Sequence, residues 1–229
     1  MRQIDDPGFW RVRNVLTPAE VDLLRQRLAH YEENPEQYAT PLEFEYEPGA
    51  EAVRKMRRLP WVDLEPWSRL WENDSVQELL RGRFGAERVG VAYCAAFLKP
   101  AAIGTRTPFH QDQALWTRTL PGAISCWTAL DRADERNGCL IMCAGSHVNG
   151  VLQHDEPPGG GHPEVTRSIL ETLPKEPVPL EPGEAVAWDR LVVHGSAENA
   201  SSRPRRGVVT VYAPARLLAE DDPVARAPA

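Results

Sequence analysis

Apolar positions recur every three to four residues over "LTPAEVDLLRQRLAHYEEN" (16–34), and that period predicts a helix. Val21, Leu24, Leu28 and Tyr31 share one stripe that can dock on a sheet. Thr17 is placed as the N-cap, Pro18 suits the first helical position, and Glu20 completes a capping box. Leu16 and Val21 have the spacing of a hydrophobic staple. A second helix is expected over "WSRLWENDSVQELLRGRFG" (67–85), its later part capped by Asp74 or Ser75 and its end set by Gly82 or Gly85. The stretch from Asn34 to Gly49 is rich in Pro and Glu, lacks a clean period, and reads as a surface excursion.

From Arg88 onward the pattern becomes short β segments separated by turn signals. These are "RVGVAYCAAFLKP" (88–100), "FHQDQALW" (109–116), "GAISCWTALD" (122–131), "GCLIMCAGSH" (138–147), "EAVAWDRLVVHGS" (184–196) and "GVVTVYAPA" (207–215). Asn137–Gly138 is a tight-hairpin signal, because both residue types accept positive φ. The Gly/Pro-rich "VLQHDEPPGGGHPEVTRS" (151–168) reads as a long loop of the kind used for lids and binding. The expected organisation is a single domain over 1–229: a helical part to about residue 87, then an antiparallel β-sandwich or barrel over about 88–215, with one long insert. The 21 prolines and 16 glycines, clustered at turns, fit an all-β core better than a helical bundle.

Composition narrows the function classes. At 229 residues, with 42% hydrophobic and 26% charged residues, the chain can bury a sizeable core. Its formal net charge of −7 argues against a dedicated nucleic-acid or anionic-membrane surface. No apolar run approaches the roughly 20 residues of a membrane span. The N-terminal "MRQIDDPGFW" has no apolar signal-peptide core, so a cytoplasmic location is expected. Cys94, Cys126, Cys139 and Cys143 form no CxxC and sit in apolar contexts, which predicts buried free thiols.

Chemistry enters with "PFHQD". If residues 109–116 are a strand, His110 and Asp112 face the same way and can occupy adjacent positions on one metal ion. The pair alone does not decide this, because alternating polar residues on a solvated face give the same spacing. His194, at the end of the apolar run "RLVVHGS", offers a third ligand. Two histidines and one carboxylate form a facial triad that leaves up to three positions of an iron ion open. Arg203, Arg205 and Arg206 follow, and an arginine on the next strand can grip a carboxylate with two hydrogen bonds. A solvated basic turn accounts for at least one of the three.

On "PFHQD", "CWTALDRADERNGCLIMCAGSH" (126–147), "PGEAVAWDRLVVHGSAENAS" (182–201) and "RPRRG" (203–207), in that order, the chain resembles the phytanoyl-CoA dioxygenase family of Fe(II)/2-oxoglutarate-dependent oxygenases. That family includes ectoine hydroxylases and many natural-product enzymes. The resemblance spans about 88–213 and, more loosely, "FWRVRNVLTPAEVDLLRQRL" (9–28). It implies a mainly β fold, a double-stranded β-helix (jelly roll, cupin-like) with flanking N-terminal helices. Carried over by position, it implies His110, Asp112 and His194 as Fe(II) ligands. It also implies Arg205 and Ser196 as partners of the distal carboxylate of 2-oxoglutarate, and Trp127 as lining the cosubstrate site. A basic residue of "VRKMRRL", one of Lys55, Arg57 and Arg58, is expected to reach the cosubstrate as well.

The implied activity is hydroxylation of a small molecule, with 2-oxoglutarate and O₂ converted to succinate and CO₂. Desaturation, ring formation and epoxidation are open to the same chemistry. Asp112 speaks against halogenation, since related halogenases carry a small residue there. The alternatives are a jelly-roll metal- or ligand-binding protein without turnover and a cupin-like metal enzyme that does not use 2-oxoglutarate; Arg205 is the feature that separates the latter. Substrate contacts are expected from the 113–118 loop, where Gln113 and Trp116 are the candidates, from the 150–168 insert and from the N-terminal excursion. His147 is expected to be structural, and His30, His154 and His162 have no ligand context.

Overall fold

A computed structural model describes residues 6–40, 42–117, 119–158 and 161–218. Thirteen strands are present among them: β1 (Phe9–Val12), β2 (Glu43–Tyr46), β3 (Val53–Arg57), β4 (Val89–Lys99), β5 (Thr107–His110), β6 (Ile124–Ala129), β7 (Leu140–Met142), β8 (His154–Asp155), β9 (Glu164–Val165), β10 (Glu176–Val178), β11 (Ala185–Asp189), β12 (His194–Ser196) and β13 (Arg205–Pro214). The helices are α1 (Pro18–Glu33), α2 (Pro35–Tyr38), α3 (Leu59–Val62), α4 (Leu64–Glu72), α5 (Asp74–Phe84), α6 (Asp112–Leu115) and α7 (Arg167–Leu170).

Two antiparallel sheets make the jelly roll. The larger runs β1-β11-β6-β13-β4-β3-β2 and the smaller β10-β7-β12-β5; β8 and β9 form a separate ribbon. Alternation along the strands divides the work. On β4, β6, β11 and β13, residues such as Cys94, Ala96, Cys126, Ala187, Val208 and Tyr212 face a core shared with Leu24, Leu28, Tyr31, Trp67 and Leu70 of the helices. The opposite face turns inward, where Trp127, Val186 and Trp188 meet Leu140, Met142 and Val178 of the smaller sheet. The concave space left between the sheets becomes the cavity described below.

Helix α1 forms as its sequence dictates. Thr17 accepts from the Glu20 N–H, the Glu20 carboxylate accepts in return from the Thr17 N–H at 2.8 Å, and Val21, Leu24, Leu28 and Tyr31 are all buried. The expected second helix is instead two. Asn73 leaves the helical region and its side chain caps α5 by accepting from Val76 N–H at 3.0 Å, so neither Asp74 nor Ser75 is the cap; Gly85 ends α5. The part before residue 87 is not purely helical, because β1, β2 and β3 extend the larger sheet. Part of the Asn34–Gly49 excursion is thereby strand, with Phe44 opposite Met56.

Three β expectations change. "FHQDQALW" is not one strand: β5 stops at His110 and Asp112 opens α6. "EAVAWDRLVVHGS" supplies two strands, β11 in the larger sheet and β12 in the smaller. Asn137–Gly138 makes a turn, with Gly138 at φ 79°, yet β6 and β7 on either side lie in different sheets, so it is a crossover and not a hairpin. The buried Asn137 side chain bonds Asp134 N–H and Arg132 C=O, which fixes the turn internally rather than through strand pairing. The 151–168 segment carries β8, β9 and the start of α7; Gly159 and Gly160 of its glycine run lie outside the described residues. All four cysteines are free and buried, as expected.

A candidate metal centre in a buried cavity

His110 ends β5, Asp112 opens α6, and His194 begins β12, whose register places it opposite His110. Their ligating atoms all lie within 4.8 Å of one another, a group that can hold a metal ion. The same-face strand argument for His110 and Asp112 was therefore wrong in its geometry: the turn into α6, not the pleat, brings the carboxylate to the imidazoles.

The donor atoms are pre-oriented. His110 Nδ1–H donates to Pro108 C=O at 2.8 Å and His194 Nδ1–H to Val192 C=O at 3.1 Å, leaving both Nε2 atoms to face Asp112. Asp112 Oδ1 sits 3.8 Å from His110 Nε2 and 3.7 Å from His194 Nε2. Its Oδ2 is held from behind by the Ser125 hydroxyl at 2.5 Å and Trp188 Nε1–H at 2.9 Å. The Trp188 ring also packs at 4.7 Å on that of His194. Burial by itself would raise the Asp112 carboxyl pKa, but His194, His110 and Ser125 outweigh it and hold it well below the usual carboxylate range. Burial, and then His194, push His110 down, so its imidazole is neutral and free to ligate.

The triad opens on a cavity of about 760 Å³. Arg205 lines it and is 3% exposed, its guanidinium 4.8 Å from the Trp127 ring centre. Arg205 Nε, Ser196 Oγ and Trp127 Nε1 are buried with no hydrogen-bond partner among the described residues. Three unsatisfied polar groups on the lining of one cavity are costly unless a ligand satisfies them, and a carboxylate has the matching acceptors. The other two arginines are engaged elsewhere, Arg206 with Asp131 and Arg203 with Asp134. Of the basic trio on and after β3, Lys55 and Arg57 line the cavity and Arg58 does not; Arg58 packs on Trp61. Arg57 is paired with Glu45 and Glu43, whereas the Lys55 ammonium lies 4.5 Å from the Phe97 ring centre. Burial first, then Arg57, lowers the Lys55 pKa to about 8.

Trp116 lines the cavity, but Gln113 does not: it is buried and its Oε1 accepts from Leu120 N–H at 3.2 Å. His162, given no role from sequence, also lines it, and its ring stands 4.3 Å from that of His110. His154 accepts from Gln111 N–H, and His147 packs so tightly on Gly8 that a Cβ there would lie 2.3 Å from its Nδ1. Sequence reasoning also missed Ser125, Trp188, Lys99 and Gly207. Only the last carried a signal, a glycine opening an apolar strand.

Gly207 faces Trp127 so closely that a Cβ would stand 2.1 Å from Cζ2. Gly207→Ala is expected to cost about 1–3 kcal/mol of stability, as overpacking does, and to push the ring out from under Arg205. Thermal unfolding with tryptophan fluorescence checks this; an unchanged Tm and spectrum would mean that the ring has room to yield.

Comparison with known proteins follows the same lines. The phytanoyl-CoA dioxygenase (PhyH) family model matches residues 4–207. Bovine peroxisomal phytanoyl-CoA dioxygenase is 24% identical over 229 residues, covering 92% of this chain and 66% of that one. A methylphosphonate hydroxylase of Gimesia maris is 34% identical over 113 residues, 49% of this chain and 40% of its own. The chain thus spans no more than 66% of the length of either relative. Among solved structures, EctD from S. alaskensis with 2-oxoglutarate and 5-hydroxyectoine superposes with a TM-score of 0.76 at 19% identity, over 93% of this chain and 74% of that one. The epimerase SnoN, in complex with Fe³⁺, alpha ketoglutarate and nogalamycin RO, gives 0.71 at 20%, over 92% and 80%. These structural likenesses establish the shared fold, and the family match over most of the sequence establishes descent: the chain belongs to the phytanoyl-CoA dioxygenase family.

Proposed function

We propose that the protein is a non-haem Fe(II)/2-oxoglutarate-dependent oxygenase that hydroxylates a small molecule. The observation that carries this reading is the pairing, in one cavity, of the His110–Asp112–His194 group with a buried arginine whose Nε lacks a partner. His110 Nε2, His194 Nε2 and Asp112 Oδ1 would hold the iron, with Ser125 and Trp188 fixing the second carboxylate oxygen. Arg205, Ser196 and Trp127 would receive the distal carboxylate of 2-oxoglutarate, and Lys55 is the basic residue of its segment best placed to reach the bound molecules. Iron, 2-oxoglutarate and O₂ together supply the oxidising power, with succinate and CO₂ as by-products. The protein's part is to orient the ligands, leave positions open and keep water out, for which Leu115, Trp116, Leu120, Val209 and Val211 make an apolar wall.

Asp112 keeps the site a three-ligand one and argues against halogenation. A cupin-like metal enzyme without 2-oxoglutarate would leave Arg205 buried with its Nε unsatisfied, which disfavours that alternative. The four buried free thiols fit a reducing compartment, and with them a cytoplasmic location; no helix among the described residues is long and apolar enough to cross a membrane. The purified protein with Fe(II), ascorbate and 2-oxoglutarate in air is expected to release succinate even without substrate, and faster with a fitting one. Bound Fe(II) with no succinate and no 2-oxoglutarate binding would replace this reading with the cupin-like one.

A further inference from the structure

Lys99 ends β4 and pairs in register with Arg205 on β13. Both are 3% exposed and both line the cavity. Buried lysines are rare unless an acid accompanies them, yet among the described residues Lys99 has no carboxylate within ion-pair distance. Its ammonium donates to Thr105 C=O. The acid that acts on it most, Glu47, is already engaged: its Oε1 accepts from Thr105 N–H at 3.1 Å and its Oε2 from the Thr105 hydroxyl at 2.7 Å. The Lys99 stem is also closely packed. A Cβ at Gly104 would lie 2.7 Å from Lys99 Cβ, and one at Gly138 would lie 3.0 Å from its Cδ. The stem is thus held in a tight channel, with its cation beside a second buried cation. Burial first, then Arg205, lowers the Lys99 pKa to about 7. Two adjacent desolvated cations repel each other, and an anion in the cavity removes that penalty.

We propose that Lys99 is the second cation of the cosubstrate pocket, a positioning residue whose charge joins that of Arg205 to select and hold a dicarboxylate. The inference rests on the reading that Arg205 receives 2-oxoglutarate. It adds a linkage. The charged groups that face Lys99 are Arg205 on β13, Arg54 on β3, Glu47 after β2 and Glu198 after β12. Bringing in a carboxylate raises the Lys99 pKa from its free value of about 7, so binding takes up a proton. Affinity for 2-oxoglutarate is therefore full below about pH 7 and declines as pH rises from there toward the raised, bound-state pKa. Lys55 gives a similar decline, but its onset lies near pH 8.

The test is anaerobic calorimetry of 2-oxoglutarate binding to the Fe(II)-loaded protein across both onsets, in two buffers of different ionisation enthalpy to count protons. In the wild type, proton uptake and weakening are expected to begin near pH 7. Lys99→Met is expected to bind about tenfold more weakly at low pH, the size of one lost charge-assisted interaction, and to lose the earlier onset while keeping that of Lys55. Equal affinity and an unchanged onset in Lys99→Met would overturn the proposal and leave Lys99 as an anchor for the 100–106 turn. Should that variant fail to fold, the wild type alone decides, because a flat profile with no proton uptake below the Lys55 onset also overturns it. A wild type that binds Fe(II) but no 2-oxoglutarate at any pH would instead sink the functional reading on which the proposal rests.

Discussion

Alanine at His110 or at His194 is expected to strip the protein of Fe(II) and to abolish turnover. Ferrous ion stands low in the affinity order of divalent metals, so its retention depends on every ligand. Loss of a partner that merely orients a ligand already costs about 10–100-fold in metal affinity, and loss of the ligand itself is expected to exceed the upper figure. Each imidazole here is fixed through its Nδ1–H to a backbone carbonyl, which aims its Nε2 at the shared position. Asp112→Ala differs. Two opposed imidazoles remain, and the variant is expected to keep part of its metal while losing hydroxylation. Iron content after dialysis, read beside succinate release, separates these cases. Undiminished activity in either histidine variant would remove that residue from the centre.

The second large effect is at Arg205. Arg205→Ala is expected to raise the KM for 2-oxoglutarate by about 30-fold or more, because truncating one partner of a buried, desolvated charge pair costs roughly 2–5 kcal/mol. Lysine is no substitute, since the guanidinium stacks on Trp127 and offers a planar fork. Arg206→Ala and Arg203→Ala are expected to leave that KM nearly unchanged, because their partners are Asp131 and Asp134. A larger KM effect at Arg206 than at Arg205 would show that the cosubstrate enters from the other face of β13.

The elements whose signals are local were legible in the sequence. The capping box of α1 and its buried stripe need only neighbours within one turn, and both form as read. The inward Arg205 and outward Arg206 follow from strand alternation, which is equally local. What failed was assigned across sheets. Asn137–Gly138 signals a turn, but whether that turn closes a hairpin or crosses between sheets depends on partners far along the chain. His110 and Asp112 belong together for a reason other than the one their spacing suggested, because four residues of α6 interrupt the strand. Lys99 and His162 were invisible for a related reason. A lysine ending an apolar run reads as a solvated strand end until Arg205 is found opposite it, and a histidine after a glycine run reads as loop until it is found against His110.

The three-residue strand β12 has a mechanical consequence. It alone stands between β7 and β5 in the smaller sheet, and its pairing with β5 consists of His194 with His110 and Ser196 with Thr107, with a register shift between them. The other two seams of that sheet each have three registered pairs without a shift, and the ligand group straddles this one. An ion shared by His110, Asp112 and His194 would clasp the seam shut, joining segments that few backbone hydrogen bonds hold. Chelation would then be a local unfolding event as well as a loss of chemistry, starting at the β5 edge and leaving the seven-stranded sheet intact.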